Sequence, residues 1–186
     1  YEYDDNYNRT YYKDKEGREW RYTYDDRGNR LTEEGPLGWY RAWEYNDLDL
    51  VTRGVRRVDG STTRQTTFYY DGRGNLTKTC NALDDCSTIA YDRRGLPTER
   101  DMVAVTNAEG ETTHFDHDGL GRMIEMRKPL GHTYHYAYNP NDNLVAVDGP
   151  LGYHLGYGYD ANNNLEVEID PNGGETRYSY DASEKL

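Results

Sequence analysis

Four histidines fall into two pairs spaced three apart, His114/His117 and His132/His135. Imidazole nitrogens suit zinc or nickel, so a metal centre is the first chemistry these residues suggest. His114 and His135 each stand three positions before a recurrent tyrosine-type position described below, which would set them side by side on neighbouring repeats. On a strand, however, residues three apart point to opposite faces, and neither pair chelates by itself. The reading is a surface or packing role, with no metal site and no cofactor. Cys80 and Cys86 flank a short turn, Asn81 to Asp85. Opposed positions on a hairpin meet disulfide geometry, and an oxidising compartment would bridge them. In a chain kept in the cytosol they would stay thiols, so both readings stand. The stretch Asp160 to Asn164 has calcium-like spacing, but the twelve-position loop with its terminal Glu is missing. Asn8 and Asn75 head Asn-x-Thr sequons, relevant only to a chain secreted by a eukaryotic route. No Ser-His-Asp set, phosphate-cradling glycine loop or paired zinc-cysteine motif occurs. No catalytic residue is assigned, and the expectation is a protein that is not an enzyme.

What positions these residues is a repeat. Tyr3, Tyr24, Tyr45, Tyr70, Tyr91, His117, Tyr138, Tyr159 and Tyr180 are separated by 21, 21, 25, 21, 26, 21, 21 and 21 residues. The residue after the anchor is Asp4, Asp25, Asp71, Asp92, Asp118, Asp160 or Asp181, with Asn46 and Asn139 as substitutes; four after the anchor come Gly28, Gly74, Gly95 and Gly121, with Asp49, Asp142 and Asn163 as substitutes. A second punctuation mark lies mid-repeat: Pro36-Leu37-Gly38, Pro129-Leu130-Gly131, Pro150-Leu151-Gly152 and Pro171-Asn172-Gly173. Asp at the first corner and Gly at the fourth is the signature of a type I turn. In the other turn Pro is expected to set φ at the second corner.

Two turns per repeat leave two segments of about five or six residues, an ordinary strand length. Before each anchor, aromatics alternate with small or polar residues, as in Tyr22/Tyr24, Trp43/Tyr45, Phe68/Tyr70, Tyr136/Tyr138 and Tyr157/Tyr159. Period two means strand with the aromatics on one face. The expected fold is all-β: about eight tandem hairpins, about sixteen strands, in one curved or spiralling antiparallel sheet over residues 1–186. Aromatics at equivalent positions are expected to stack into ladders along one face, each repeat touching mainly its neighbours.

Composition agrees with a thin protein. Leu, Val, Ile and Phe make only 27 of 186 residues, against 20 Tyr and 19 Gly. So few core formers with a net charge of −12 would suit disorder, but disordered tracts lack aromatics. The acidity and the absence of basic runs beyond pairs such as Arg56-Arg57 exclude a nucleic-acid partner. No window approaches 18 consecutive apolar residues, so no membrane span is expected. Nor is a signal peptide expected, and the start at Tyr1 suggests a piece of something longer.

The stretches Tyr24-Asp25-Asp26-Arg27-Gly28, Tyr70-Asp71-Gly72-Arg73-Gly74-Asn75-Leu76 and His117-Asp118-Gly119-Leu120-Gly121-Arg122 resemble the YD repeat of the Rhs family, as does Gly149-Pro150-Leu151-Gly152 followed by Tyr157-Gly158-Tyr159-Asp160. The resemblance implies a segment of a hollow β-shell. In bacterial polymorphic toxins and insecticidal toxin complexes that shell encloses a C-terminal toxin polypeptide; in teneurins a similar shell belongs to an adhesion receptor. It further implies secretion or surface display, and partners in the remaining repeats and the enclosed toxin. Because unpaired strand edges seek partners, the array is expected either to belong to a larger cage or to pair end to end with copies of itself. Asp170-Pro171-Asn172-Gly173 is similar to the family's self-cleavage signature, but sits at the ordinary mid-repeat turn and is read as a turn. The alternative function is a glycan- or cell-surface-binding aromatic sheet acting through Trp20, Trp39 or Trp43.

Overall fold

The computed structural model describes residues 1–58, 60–92 and 101–180; Gly95 of the expected turns lies outside them. The fold is all-β, with 17 antiparallel strands among the described residues, where about sixteen were expected. The chain divides into two units, Tyr1–Ile89 and Ala90–Leu186.

In the first unit, β1 (Glu2–Tyr3), β2 (Arg9–Lys13), β3 (Glu19–Tyr24), β4 (Arg30–Glu34), β5 (Tyr40–Tyr45), β6 (Val51–Arg57), β7 (Thr63–Tyr70), β8 (Leu76–Asn81) and β9 (from Cys86) form a meander, each strand paired with the next. In the second unit, β10 (Met102–Thr106), β11 (Thr112–His117), β12 (Met123–Arg127), β13 (Thr133–Tyr138), β14 (Leu144–Asp148), β15 (His154–Tyr159), β16 (Leu165–Ile169) and β17 (Glu175–Arg177) do the same. Strands of mostly five to eight residues follow directly from two turns per 21 residues.

Neither unit has a thick core. Among the described residues only Tyr22, Cys80 and Val147 are buried apolar side chains. The anchor-side aromatics are half-buried and alternate with exposed positions, as in the β11 run from Thr112 to His117. Hydrophobic burial is thus spread thinly along the sheet, and polar bonds and turns carry an unusual share of the specification.

The mid-repeat turns come in two kinds, and one corrects the expectation. After Asp14, Asn81, Asn107 and Asp170 the turn closes from the first to the fourth residue, as in Gly173 N–H to Asp170 O at 2.9 Å. There Pro171 does hold the second corner. In the Pro-Leu-Gly turns the bond instead runs from Trp39 N–H to Pro36 O at 3.2 Å and from Tyr153 N–H to Pro150 O at 3.1 Å. Proline is therefore the first corner, and the leucine takes a left-handed conformation: Leu37 φ 59°, Leu130 φ 67°, Leu151 φ 58°. With Gly38, Gly131 and Gly152 also at positive φ, these are turns of the primed kind that match strand twist. The residue before proline decides between the two. Asp170 bonds the N–H groups of Asn172 and Gly174 through its carboxylate, fixing the first frame. Gly35, Lys128 and Gly149 have no such carboxylate.

At one anchor the backbone N–H after the anchor closes farther along the chain than at the others. Asp25 N–H closes onto Asn29 O, four residues on, whereas Asp92 N–H closes onto Asp101 O at 2.9 Å, nine residues on. The turn expected from Asp92 to Gly95 itself lies outside the described residues. The physical reason for the farther closure is length: the interval from Tyr91 to His117 is 26 residues rather than 21, and the five extra residues fall between the two partners of this bond.

Gly35 and Gly149 have a second reason to be glycine. A Cβ on Gly149 would lie 2.8 Å from Tyr134 and 3.1 Å from Tyr153, and one on Gly35 would lie 2.9 Å from both Trp20 and Trp39. Two aromatic rings close over a bare backbone at each of these turns.

Candidate functional site

The anchor hairpin is the unit that recurs. Asp25 shows how it is built. Its backbone N–H bonds Asn29 O, Gly28 N–H returns to Asp25 O, and its carboxylate accepts from the N–H groups of Arg27 and Asn29 and the amide of Asn29. Gly28 closes this at φ 86°, a conformation that only glycine adopts without cost. Asp71 repeats the arrangement with Arg73 and Asn75, Asp118 with Leu120 and Arg122, and Asp160 with Asn162 and Asn164. At Asp25 burial pushes the carboxyl pKa up, but these bonds outweigh it and hold the group below its ordinary value. At Asp71 and Asp160 the bond from the N–H four residues on is the leading cause of the same downward shift, and at Asp118 it is the Arg122 side chain.

Each anchor with a tight turn sits at a β-bulge. Thr23 faces Thr32 but Tyr24 faces Arg30, so the returning strand carries one extra residue. The same slip occurs at Tyr45, Tyr70, His117, Tyr138 and Tyr159. A bulge leaves backbone groups outside the ladder. The next anchor fills the gap: Tyr45 donates its hydroxyl to Arg30 O at 2.8 Å, and Arg30 is the residue facing Tyr24. Tyr24 reaches Arg9 O, Tyr70 Val51 O, Tyr138 Met123 O, Tyr159 Leu144 O and Tyr180 Leu165 O, at 2.7–2.9 Å. Every acceptor is the residue opposite the preceding anchor. The phenols clasp each hairpin to the one before.

This is not the expected ladder of stacked anchors. The ring contacts among the described residues are Tyr1–Tyr12, Tyr12–Trp20 and Tyr134–Tyr153, none between two anchors. Arginines fill the space between, with Arg9 and Arg30 over Tyr22 and Arg122 over Tyr138. Neighbouring anchor turns are also laced together: Arg27 donates to Asn46 O and Asp47 O, Arg122 to Asp142, and Asn141 and Asn143 to Asn163.

The remaining candidates fall as follows. His114 faces Arg127 and His135 faces Glu125, both on β12, so a whole strand separates the two histidines. They are two strand spacings apart, about 10 Å, and not the neighbours expected. His135 Nδ1 lies 3.3 Å from Glu125 Oε2. Among the described residues no three His, Cys, Asp or Glu side chains converge on one point. His117 occupies an anchor position facing Met123, with an imidazole in place of the phenol. Cys80 and Cys86 face each other directly across β8 and β9 and are joined as a disulfide. Trp20 stacks on Tyr12, with Arg18 over it, and Trp39 lies under Arg41, so other side chains already occupy ring faces of both. No helix is long and apolar enough to cross a membrane.

A family model described as RHS Repeat matches residues 91–133, 138–175 and 159–186. The chain belongs to the RHS-repeat family. The first unit shares the anchors, bulges and phenol clasps of the matched part. The sequence matches no curated protein at a significant level. Among solved structures, the RHS-repeat chain aligns with the crystal structure of TcdB2-TccC3-Cdc42 at a TM-score of 0.75 and 15% identity, over 89% of its own length and 10% of that chain. A TcdB2-TccC3 crystal structure without its hypervariable C-terminal region gives 0.73 and 15%, over 89% and 10%. A Tc holotoxin pore from Photorhabdus luminescens gives 0.71 and 16%, over 86% and 9%. At these identities the likeness is one of fold, and the RHS-repeat chain spans about a tenth of those chains.

Proposed function

We propose that this chain is a wall segment of a larger protein shell, structural rather than catalytic, whose role is to enclose a toxin or other polypeptide until delivery. The observation that carries the reading is the set of phenol clasps. Among the described residues, the hydroxyls of Tyr24, Tyr45, Tyr70, Tyr138, Tyr159 and Tyr180 are each tied to a carbonyl of the preceding hairpin and join short ribbons sideways without a conventional core. Such a construction extends in one direction by repetition and suits an enclosing surface. The fold likeness to TcdB2-TccC3 and to a Tc holotoxin supports it further. On this reading the partners are the remaining repeats and the enclosed polypeptide, and the assembly acts outside the cell that makes it. The outer edges of β1 and β17 would pair with further repeats or with a second copy, since open strand edges seek partners.

Cryo-electron microscopy of the protein from which this segment comes, combined with limited proteolysis, tests the proposal. A hollow interior with density for a protease-resistant guest is expected. A solid interior, or a guest digested as fast as free polypeptide, would sink it.

A further inference from the structure

Three arginines line up across adjacent strands of the first unit. Arg41 on β5 faces Arg56 on β6, and Arg56 faces Arg64 on β7. Directly opposed residues of an antiparallel sheet share a face, and like charges so placed destabilise it. The chain carries 34 acidic side chains against 22 basic ones, yet among the described residues no carboxylate pairs with any of these three. Glu33, which faces Arg41, is held by Arg30 at 3.3 Å. By contrast Arg53, on the other face of β6, is paired with Glu44. A linear scan for basic runs misses the row, because its members come from three strands.

Beside the arginines the same face opens into a depression of about 330 Å³. Its floor is Gly54, and Trp43 and Phe68 form its walls. A Cβ on Gly54 would sit 3.7 Å from Phe68 and 3.9 Å from Trp43, so the missing side chain leaves a slot between two rings. The volume is that of a small-ligand site.

We infer that this face binds a compact organic polyanion: two or more linked oxyanions lying along Arg56 and its two neighbours, joined to a flat ring inserted between Trp43 and Phe68. Guanidinium forks bind phosphate and carboxylate oxygens in pairs. Three of them in a row span two strand spacings, about 10 Å, which suits linked phosphates rather than a single anion. An anion seated there removes the repulsion within the row, so binding and sheet stability are coupled.

The test titrates the intact 186-residue chain by calorimetry with ADP, pyrophosphate and adenosine as probes. Saturable one-to-one binding of ADP is expected, weaker for pyrophosphate and weakest for adenosine. Arg56→Gln is expected to lower ADP affinity at least about tenfold, the loss of one charged hydrogen-bonding group. Gly54→Val, which fills the slot at an unstrained strand position, is expected to bring ADP down to the affinity of pyrophosphate. Arg127→Gln, whose charge is paired elsewhere, should leave binding unchanged. Thermal unfolding in anion-free buffer gives a second readout: Arg56→Gln should melt above the wild type and gain nothing from ADP, whereas the wild type should gain. Non-saturating binding, equal affinity in Arg56→Gln, or a lower melting point for Arg56→Gln without ligand would each overturn the inference. Pyrophosphate binding as tightly as ADP in the wild type would overturn the ring slot.

Discussion

Replacing Tyr45 by Phe removes one oxygen and nothing else. The ring stays in place, and the hydroxyl that Arg30 O accepts at 2.8 Å is gone. The net worth of a neutral hydrogen bond is about 1 kcal/mol, with about 1–3 kcal/mol lost when a buried partner is left unsatisfied. Both residues are half-buried, which lets water partly replace the phenol and places the expected loss near 1 kcal/mol. Tyr159→Phe removes the equivalent bond to Leu144 O in the other unit. The two sites share no partner, so the double variant should lose the sum, about 2 kcal/mol. If each unit of about ninety residues melts on its own, every 1 kcal/mol lowers its melting temperature by about 4–8 °C; if both melt together, by about half that. Tyr69→Phe is the control, because Tyr69 is an exposed ring that Lys78 covers and its hydroxyl takes no part in a clasp. Urea unfolding followed by circular dichroism measures all four proteins. Anchor variants that lose no more than Tyr69→Phe would refute the idea that phenol clasps hold neighbouring hairpins together.

Leu151→Asn should stabilise the protein by about 0.5–1 kcal/mol. It relieves a left-handed leucine, costly by about 1–2 kcal/mol, whose side chain is fully exposed; a lower melting temperature would count against the turn assignment. Gly149→Ala should do the opposite, because its Cβ would meet the Tyr134 ring at 2.8 Å; unfolding titrations of the pair check both signs. Reducing the Cys80–Cys86 disulfide opens a loop with a sequence separation of only 6. By loop entropy it should cost at most about 2 kcal/mol, read as the melting shift with and without reductant. The turn carboxylates of Asp4, Asp14, Asp25, Asp71, Asp118 and Asp160 have folded pKa values below the unfolded one. The folded state therefore binds protons less readily than the unfolded chain. The stability these groups add is complete above the unfolded value near 4 and is lost as pH falls through the folded values. Unfolding free energy should be flat from about pH 7 to 5 and then fall, and Asp71→Asn should flatten the acid limb.

Much of this is legible in the sequence, and for a definite reason. Turns are local, so Asp25, Gly28, Asp71 and Gly74 announce themselves by type and spacing. Period-two aromatics such as Tyr22 and Tyr24 announce the strand between them. What escapes is whatever depends on pairing. His114 and His135 look adjacent when the repeat is counted in hairpins, whereas each hairpin contributes two strands and β12 falls between them. Asp92 carries the same local signature as Asp25, and only the pairing shows that the carbonyl accepting from its N–H belongs to Asp101. The Pro-Leu-Gly turn is misframed because Pro171 and Pro150 occupy the same position in the repeat. The choice between the two closures rests on whether the preceding residue, Asp170 or Gly149, can cap the turn with a carboxylate. The acceptors of the anchor phenols are invisible in the sequence, since they are backbone carbonyls at bulges and carry no residue signature: Arg9, Arg30, Val51, Met123, Leu144 and Leu165 share a place and not a side chain.

Backbone acceptors let such a sheet vary in sequence and keep its form. A side chain that binds another side chain constrains both positions. A phenol that binds a carbonyl constrains one, because every residue supplies the acceptor. The bulge that exposes the carbonyl lies beside the anchor turn of the same hairpin, so a unit with a tyrosine anchor carries both the socket for its successor and the plug for its predecessor. Stability then grows by nearest-neighbour increments. One clasp can be lost without undoing the rest, and His117, which stands in an anchor strand paired on both sides without a phenol, is such a case already present in the chain. His117→Tyr should therefore leave the pairing of β11 with β10 and β12 unchanged. Amide exchange across β11 that differed widely between the wild type and this variant would show that the strand, and not the repeat, sets the local order.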